Sequence, residues 1–143
     1  MQIHDPLPSD LEILKDVNID NHGFLPIVAT YCRRLGLIEL VSMIATQMDL
    51  KPGLVVQAMV LDVLSGRNPL YQVEGFLAQQ DIQFLLGEEF DAHAFNDTNL
   101  ARSLDTMFEC GTAKIVTHLG LRAGSTFQLD LSTASYDSTS TNV

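Results

Sequence analysis

The side chains most able to do chemistry here are four histidines, two cysteines and a short acidic run. A metal site needs His, Cys, Asp or Glu at spacings that let them converge. His4, His22, His93 and His118 are scattered, with no pair four residues apart on one helix, and Cys32 and Cys110 form no CxxC pair. No metal centre and no cofactor is therefore expected. The plain reading of the cysteines is two reduced, buried thiols, with a disulfide between them left open. Glu88, Glu89 and Asp91 could suggest paired carboxylates for acid–base work. They fall in a predicted loop, where a solvated turn is the simpler reading. The glycines at 53, 66, 87, 111, 120 and 124 mark element ends. They assemble into neither GxGxxG nor GxxxxGK[ST], so no phosphate-cradling loop is indicated.

These residues ride on a chain of 143 amino acids, long enough for one self-sufficient core. Hydrophobic residues make up 46% and charged residues 18%, a globular composition. Eight basic against 18 acidic residues give a formal charge of −10. That balance argues against a strongly basic nucleic-acid binder, because attraction to phosphate comes from Lys and Arg. The start, Met1-Gln2-Ile3-His4-Asp5-Pro6, lacks the pattern of a signal peptide. The stretch from Gly53 to Leu64 is too short to span a bilayer and contains Gln57 and Asp62. A cytoplasmic protein with no membrane partner is expected.

Helical periodicity dominates the chain. Helices are predicted over Phe24–Leu35, Ile38–Gln47, Pro52–Leu64, Pro69–Ala78 and Asp81–Leu86. Another starts at a cap among Asn96, Asp97 or Thr98 and ends at Gly111, and a last one is capped by Thr112. The Pro52–Leu64 helix is apolar on nearly every side, so it is placed at the centre of the domain. Leu100, Leu104, Met107 and Phe108 form an amphipathic stripe, and Ile115, Val116 and Leu119 are expected to face inward. Leu11–Asp20 alternates loosely, as an extended lead-in or short strand. The pattern changes at Gly124. Thr126 to Asp130 alternates, and residues 132–143 hold seven Ser or Thr among twelve. The expected fold is mainly α: one helical domain over residues 1–124 with about six or seven helices. Short strands near the two ends, at 11–20 and 126–131, have room to pair. Residues 125–143 are either the start of a further unit or a mobile polar tail.

The segments Ile38–Gln47 and Pro52–Leu64 could form a helix-turn-helix. The second helix would have to present exposed Arg, Lys, Asn or Gln to base edges. It offers only Lys51 and Gln57, so a buried core helix is the stronger reading. A duplex could still be held weakly if Arg33, Arg34, Arg67 and Arg102 shared a face. Tyr136-Asp137-Ser138-Thr139-Ser140-Thr141 places an aspartate before small hydroxyl residues, a pattern found at one ligand of two-metal phosphoryl-transfer sites. One carboxylate alone cannot hold two Mg²⁺ ions.

Four stretches resemble, in the same order, bacterial insertion-sequence transposases of the DDE class. They are Pro26-Ile27-Val28 with Cys32-Arg33-Arg34-Leu35-Gly36-Leu37-Ile38-Glu39-Leu40; Val56 to Leu64 followed by Arg67-Asn68-Pro69-Leu70-Tyr71; Ala94-Phe95-Asn96-Asp97-Thr98-Asn99-Leu100-Ala101-Arg102-Ser103-Leu104-Asp105; and Tyr136-Asp137-Ser138-Thr139-Ser140. The resemblance covers about Asn18 to the C-terminus. It implies the helical N-terminal domain that precedes an RNase H-like catalytic domain. In such proteins that N-terminal domain is thought to help with DNA-end binding or complex assembly. Asp137 would match the first of three catalytic carboxylates; the other two are absent from this sequence, so no transposase reaction is expected from this chain by itself.

The resulting expectation is a non-catalytic domain that recognises terminal-repeat DNA or helps assemble a transposase, with self-association open. The rival is an acidic interaction protein, a domesticated fragment that regulates a nucleic-acid-processing or phage-defence complex by imitating DNA charge. Its surface would be built from Glu88, Glu89, Asp91 and Asp97.

Overall fold

The computed structural model describes residues 23–45, 50–130 and 132. Among them lie seven α-helices and two 3-10 turns, and no strand. The helices are α1 (Leu25–Leu35), α2 (Leu37–Ile44), α3 (Pro52–Ser65), α4 (Val73–Leu77), α5 (Ile82–Leu86), α6 (Asp97–Cys110) and α7 (Thr112–Phe127). The 3-10 turns are Leu70–Gln72 and Ala92–Phe95.

Local signals explain most boundaries. Pro26 occupies the first turn of α1 and Pro52 that of α3, where a missing N–H costs little. Gly36 ends α1 at φ 65, and the same residue opens α2. Only a residue free to adopt the left-handed region lets the two helices meet with no linker between them. Asn96 caps α6 through its side-chain oxygen, which accepts the Asn99 N–H at 3.0 Å. Asp81 caps α5 in the same way, accepting from the Phe84 N–H at 2.8 Å.

Helix α3 is central as expected, touching α1, α2, α4, α5 and α6. One core joins Leu25, Leu54, Leu61, Leu77, Leu85 and Phe95 under α3, α4 and α5. A second joins Cys32, Leu37, Val41, Met107 and Ile115, where α1 and α2 meet α6 and α7. The two cores are bridged by Val28, which packs against both. Helices α2 and α3 approach closely because Gly53 has no side chain. A Cβ there would lie 2.5 Å from the Ile38 Cα. The Ser42 hydroxyl also accepts the Gly53 N–H at 3.2 Å.

Several expectations need correction. The predicted Pro69–Ala78 helix divides into a 3-10 turn and the short α4. Residues 92–95, expected as loop, form a 3-10 turn capped by Asp91. Thr112 is not a cap: α7 starts from Gly111 with no side-chain cap. The change of pattern at Gly124 does not end α7, which continues to Phe127 and closes on Gln128 at φ 51. The last turn is held by tertiary contact, since the Phe127 ring packs 5.6 Å from that of Tyr31. Thr126 and Phe127 are thus helical, which removes the strand expected there. The other expected strand, at 11–20, lies outside the described residues. No helix among the described residues is long and apolar enough to cross a membrane.

The inward faces of α6 and α7 are also rotated from expectation. Leu100, Ser103 and Met107 are buried on α6, while Leu104 and Phe108 are exposed. Ser103 tolerates burial because its hydroxyl donates to the Asn99 carbonyl at 3.0 Å. On α7 Ile115 is buried and Leu119 packs beside it, but Val116 is 67% exposed.

Candidate functional site

The four arginines stand on three elements. Arg33 and Arg34 share the last turn of α1, where the helix dipole favours positive charge. Their side chains diverge. Arg33 Nη1 donates to the Phe84 carbonyl at 3.3 Å, towards α5. The Arg34 guanidinium lies 5.0 Å from the centre of the Phe127 ring and 5.6 Å from that of Tyr31, against α7. Both geometries fit cation–π contact. Arg122 of α7 comes to the same junction, with its guanidinium against Gly36. Arg34 and Arg122 thus gather where α1 meets α7. Sequence reasoning missed Arg122 because nothing in its spacing marks it.

Arg67 is exposed in the loop after α3, and Arg102 is exposed on α6. The loop has a built geometry. Asp62, buried at the end of α3, accepts the Asn68 side-chain amide at 2.6 Å and the Asn68 backbone N–H at 3.1 Å. Its carbonyl accepts the N–H groups of Gly66 and Arg67. This folds the chain back on itself and leaves Arg67 at φ 55.

In the helix-turn-helix candidate the second helix lies in the core. Gln57 is fully buried, and its Nε2 donates to the Leu85 carbonyl at 2.8 Å. Among the described residues its Oε1 has no partner. Lys51 pairs with Glu88. Gln57 is therefore held inside the protein, while Lys51 stays at the surface in its ion pair. Gln57→Ala is expected to lower stability in urea unfolding by about 2 kcal/mol, the scale of an orphaned buried carbonyl, and to leave duplex binding unchanged.

The acidic candidates mostly have local partners. Glu88 takes the ion pair with Lys51. Asp91 accepts the His93 N–H at 2.9 Å, and Asp97 accepts the Thr98 N–H at 2.8 Å in the first turn of α6. Glu89 is exposed. His93 Nδ1 lies 2.9 Å from the Glu74 carboxylate, tying the second 3-10 turn to α4. The hydrogen bond and charge of Glu74 hold the His93 pKa above its ordinary value of 6.5. The charged pair therefore stabilises the fold fully below that value, and the contribution fades as pH rises through the raised folded value. Melting of wild type against Glu74→Gln should show a small wild-type advantage at low pH that closes on the alkaline side.

Burial pushes the Cys32 thiol up, so it stays protonated and inert. Cys110 is half-buried, and both cysteines are free. No group of His, Cys, Asp and Glu able to hold a metal occurs among the described residues. His4, His22 and Asp137 lie outside them.

One cleft on the surface is apolar throughout. Val56, Met59, Val60, Val63 and Leu64 of α3 and Leu104 of α6 line a groove of about 390 Å³ with no polar lining. Phe108 follows Leu104 by one helical turn and is 76% exposed. Phe108 and Val116 both stand within about a turn and a half of Gly111, so the tip of the α6–α7 hairpin presents apolar side chains to solvent. The apolar periphery of α3 was readable in sequence, but its open flank was not.

No curated protein and no solved structure matches the chain. The family described as "domain of unknown function (DUF4277)" matches residues 17–132, most of the chain, and its span takes in every described helix. The chain belongs to that family.

Proposed function

We propose that this domain is the non-catalytic N-terminal helical domain of a DDE-type insertion-sequence transposase, and that it contributes assembly and not the reading of terminal repeats. The observation that carries the choice is the burial of α3. The helix that would have to lie in a major groove is the centre of the core, with Gln57 bonded to Leu85 and Gly53 pressed on Ile38. A helix cannot serve both roles, because base readout needs its polar side chains in solvent. The transposase assignment itself draws on the collinear sequence motifs. The surface suited to assembly is the exposed apolar tip of the α6–α7 hairpin, Phe108 and Val116. Aromatic anchors of this kind are enriched in protein interfaces.

The DNA-mimic reading has less support, since Glu88, Asp91 and Asp97 are engaged with neighbouring groups of the same chain. The test is fluorescence anisotropy of a labelled terminal-repeat duplex beside a scrambled one, at low and near-physiological salt. The expected result is no preference for the repeat. Preferential binding that weakens with salt and is lost when Arg33, Arg34, Arg67 and Arg102 become Ala would overturn the assembly reading.

A further inference from the structure

Two outward helix faces of this chain match each other in length, shape and charge. On α1, Ile27, Tyr31 and Arg34 share one face at helical spacing, and all three are exposed. Ile27 is 62% exposed and Tyr31 52%. The Arg34 guanidinium is held against the Tyr31 and Phe127 rings, so it is already ordered at the end of that face. Helix α1 carries no acidic residue, and among the described residues no ion pair engages Arg34. On α6, Asp97, Ala101 and Leu104 share one face at the same spacing, and all three are exposed too. Among the described residues no ion pair engages Asp97 either. Arg102, the cation of α6, precedes Leu104 by two residues and so stands off that face. Both faces lie open on the surface, so the chain does not cover one with the other.

We infer that α1 of one copy docks antiparallel on α6 of a second copy, with Arg34 against Asp97, Tyr31 over Ala101 and Ile27 beside Leu104. Ile27 to Arg34 and Asp97 to Leu104 each span about 10 Å of helix, so the three pairs fall in register. The small side chain of Ala101 leaves room for a tyrosine ring to lie across the helix. Leu104 is one wall of the apolar α3–α6 groove, so Ile27 enters at the edge of that groove. Charge sets the direction. In the antiparallel arrangement the guanidinium meets the carboxylate; in the parallel one it would meet Leu104 and leave the carboxylate against Ile27. The antiparallel arrangement also brings the C-terminal end of α1 to the N-terminal end of α6, which the helix dipoles favour. Each copy offers both faces, so the contact serves a two-fold pair, where it is made twice, and equally a head-to-tail ring or chain. It uses neither Phe108 nor Val116 and stands apart from the hairpin tip offered to a catalytic chain. One helix pair is small against the ~800 Å² per partner of a stable interface, so micromolar or weaker association is expected.

The test is sedimentation of the full chain from low micromolar to near-millimolar concentration, for wild type, Arg34→Glu, Asp97→Arg and an equal mixture of the two variants. The wild-type weight-average mass is expected to rise above that of the monomer with concentration. Each charge variant by itself should weaken association at least about tenfold, because it sets like charges face to face. The mixture should regain association, since each variant then meets the face it complements. Ala101→Lys, on the exposed face of α6, should block association with the helical circular dichroism preserved. Should either charge variant lose its circular dichroism, Ala101→Lys alone decides. A wild-type chain that stays monomeric throughout would overturn the inference. So would association untouched by Ala101→Lys, or a mixture of folded charge variants no more associated than its components. Binding of a catalytic chain at the hairpin tip is measured separately, so a monomeric domain that still binds it would sink the α1–α6 contact alone.

Discussion

Gly53→Ala is expected to destabilise the domain by about 3 kcal/mol or more in urea unfolding. In most helix interiors this exchange stabilises, because Ala is the better helix former by up to about 1 kcal/mol. Here the new methyl would press into the Ile38 carbonyl oxygen and lie 2.5 Å from the Ile38 Cα and 2.7 Å from its carbonyl carbon. Those atoms are backbone in the first turn of α2, so no side-chain rotation relieves the clash. Either α2 moves away from α3 or α3 loses its first turn. Both disturb the core around Leu54 and Val55, and a loss of this size is a large part of a typical domain's stability. Gly120→Ala in α7 is the matched control. A Cβ there meets nothing within 4 Å, so the control should be neutral or slightly stabilising. Equal stability of wild type and Gly53→Ala would contradict the close crossing.

Phe95→Ala should be as severe, at about 4 kcal/mol. The ring is fully buried among Leu77, Leu86 and Leu100 of the first core. It meets Phe90 edge-on, with centroids 6.2 Å apart. Removing it leaves a large void beneath a 3-10 turn whose backbone has little regular structure to collapse around. The midpoint of urea unfolding should fall with an unchanged slope. A loss below about 1 kcal/mol would mean that the turn closes over the void and does not anchor the core.

Phe95 also shows where sequence reading reaches its limit. Helices announce themselves through repeated spacing and end signals, which is why Pro26 and Gly36 bound α1 and Asn96 starts α6. A four-residue 3-10 turn has no period to detect, so the main aromatic of the core sits in a segment that reads as loop. Helix existence was legible; helix rotation was not. On α6, Leu100, Leu104, Met107 and Phe108 and the observed Leu100, Ser103 and Met107 differ by one flank of the same helix. The choice turns on whether Ser103 can satisfy its hydroxyl inside, a matter of a bond to the Asn99 carbonyl that spacing does not reveal. The arginines illustrate the same limit for the site. Whether charges converge depends on features such as the Asp62–Asn68 turn that fixes Arg67 and the ring of Phe127 that holds Arg34. Those are contacts between residues distant in sequence or loops of irregular backbone, and composition is blind to both.

We propose that the domain serves transposase assembly through the tip of its α6–α7 hairpin. The decisive experiment is calorimetric titration of a DDE transposase catalytic chain, stripped of its own N-terminal domain and taken from an element with the same collinear motifs. The wild-type domain is expected to bind saturably with a negative heat-capacity change, the mark of buried apolar surface. Phe108→Glu with Val116→Glu should weaken binding at least about tenfold, or about 1.4 kcal/mol, without unfolding either partner. Both side chains are exposed, so the double variant should keep its helices. No binding of the wild type, or equal binding of the folded double variant, would mean that the hairpin tip is not an assembly surface.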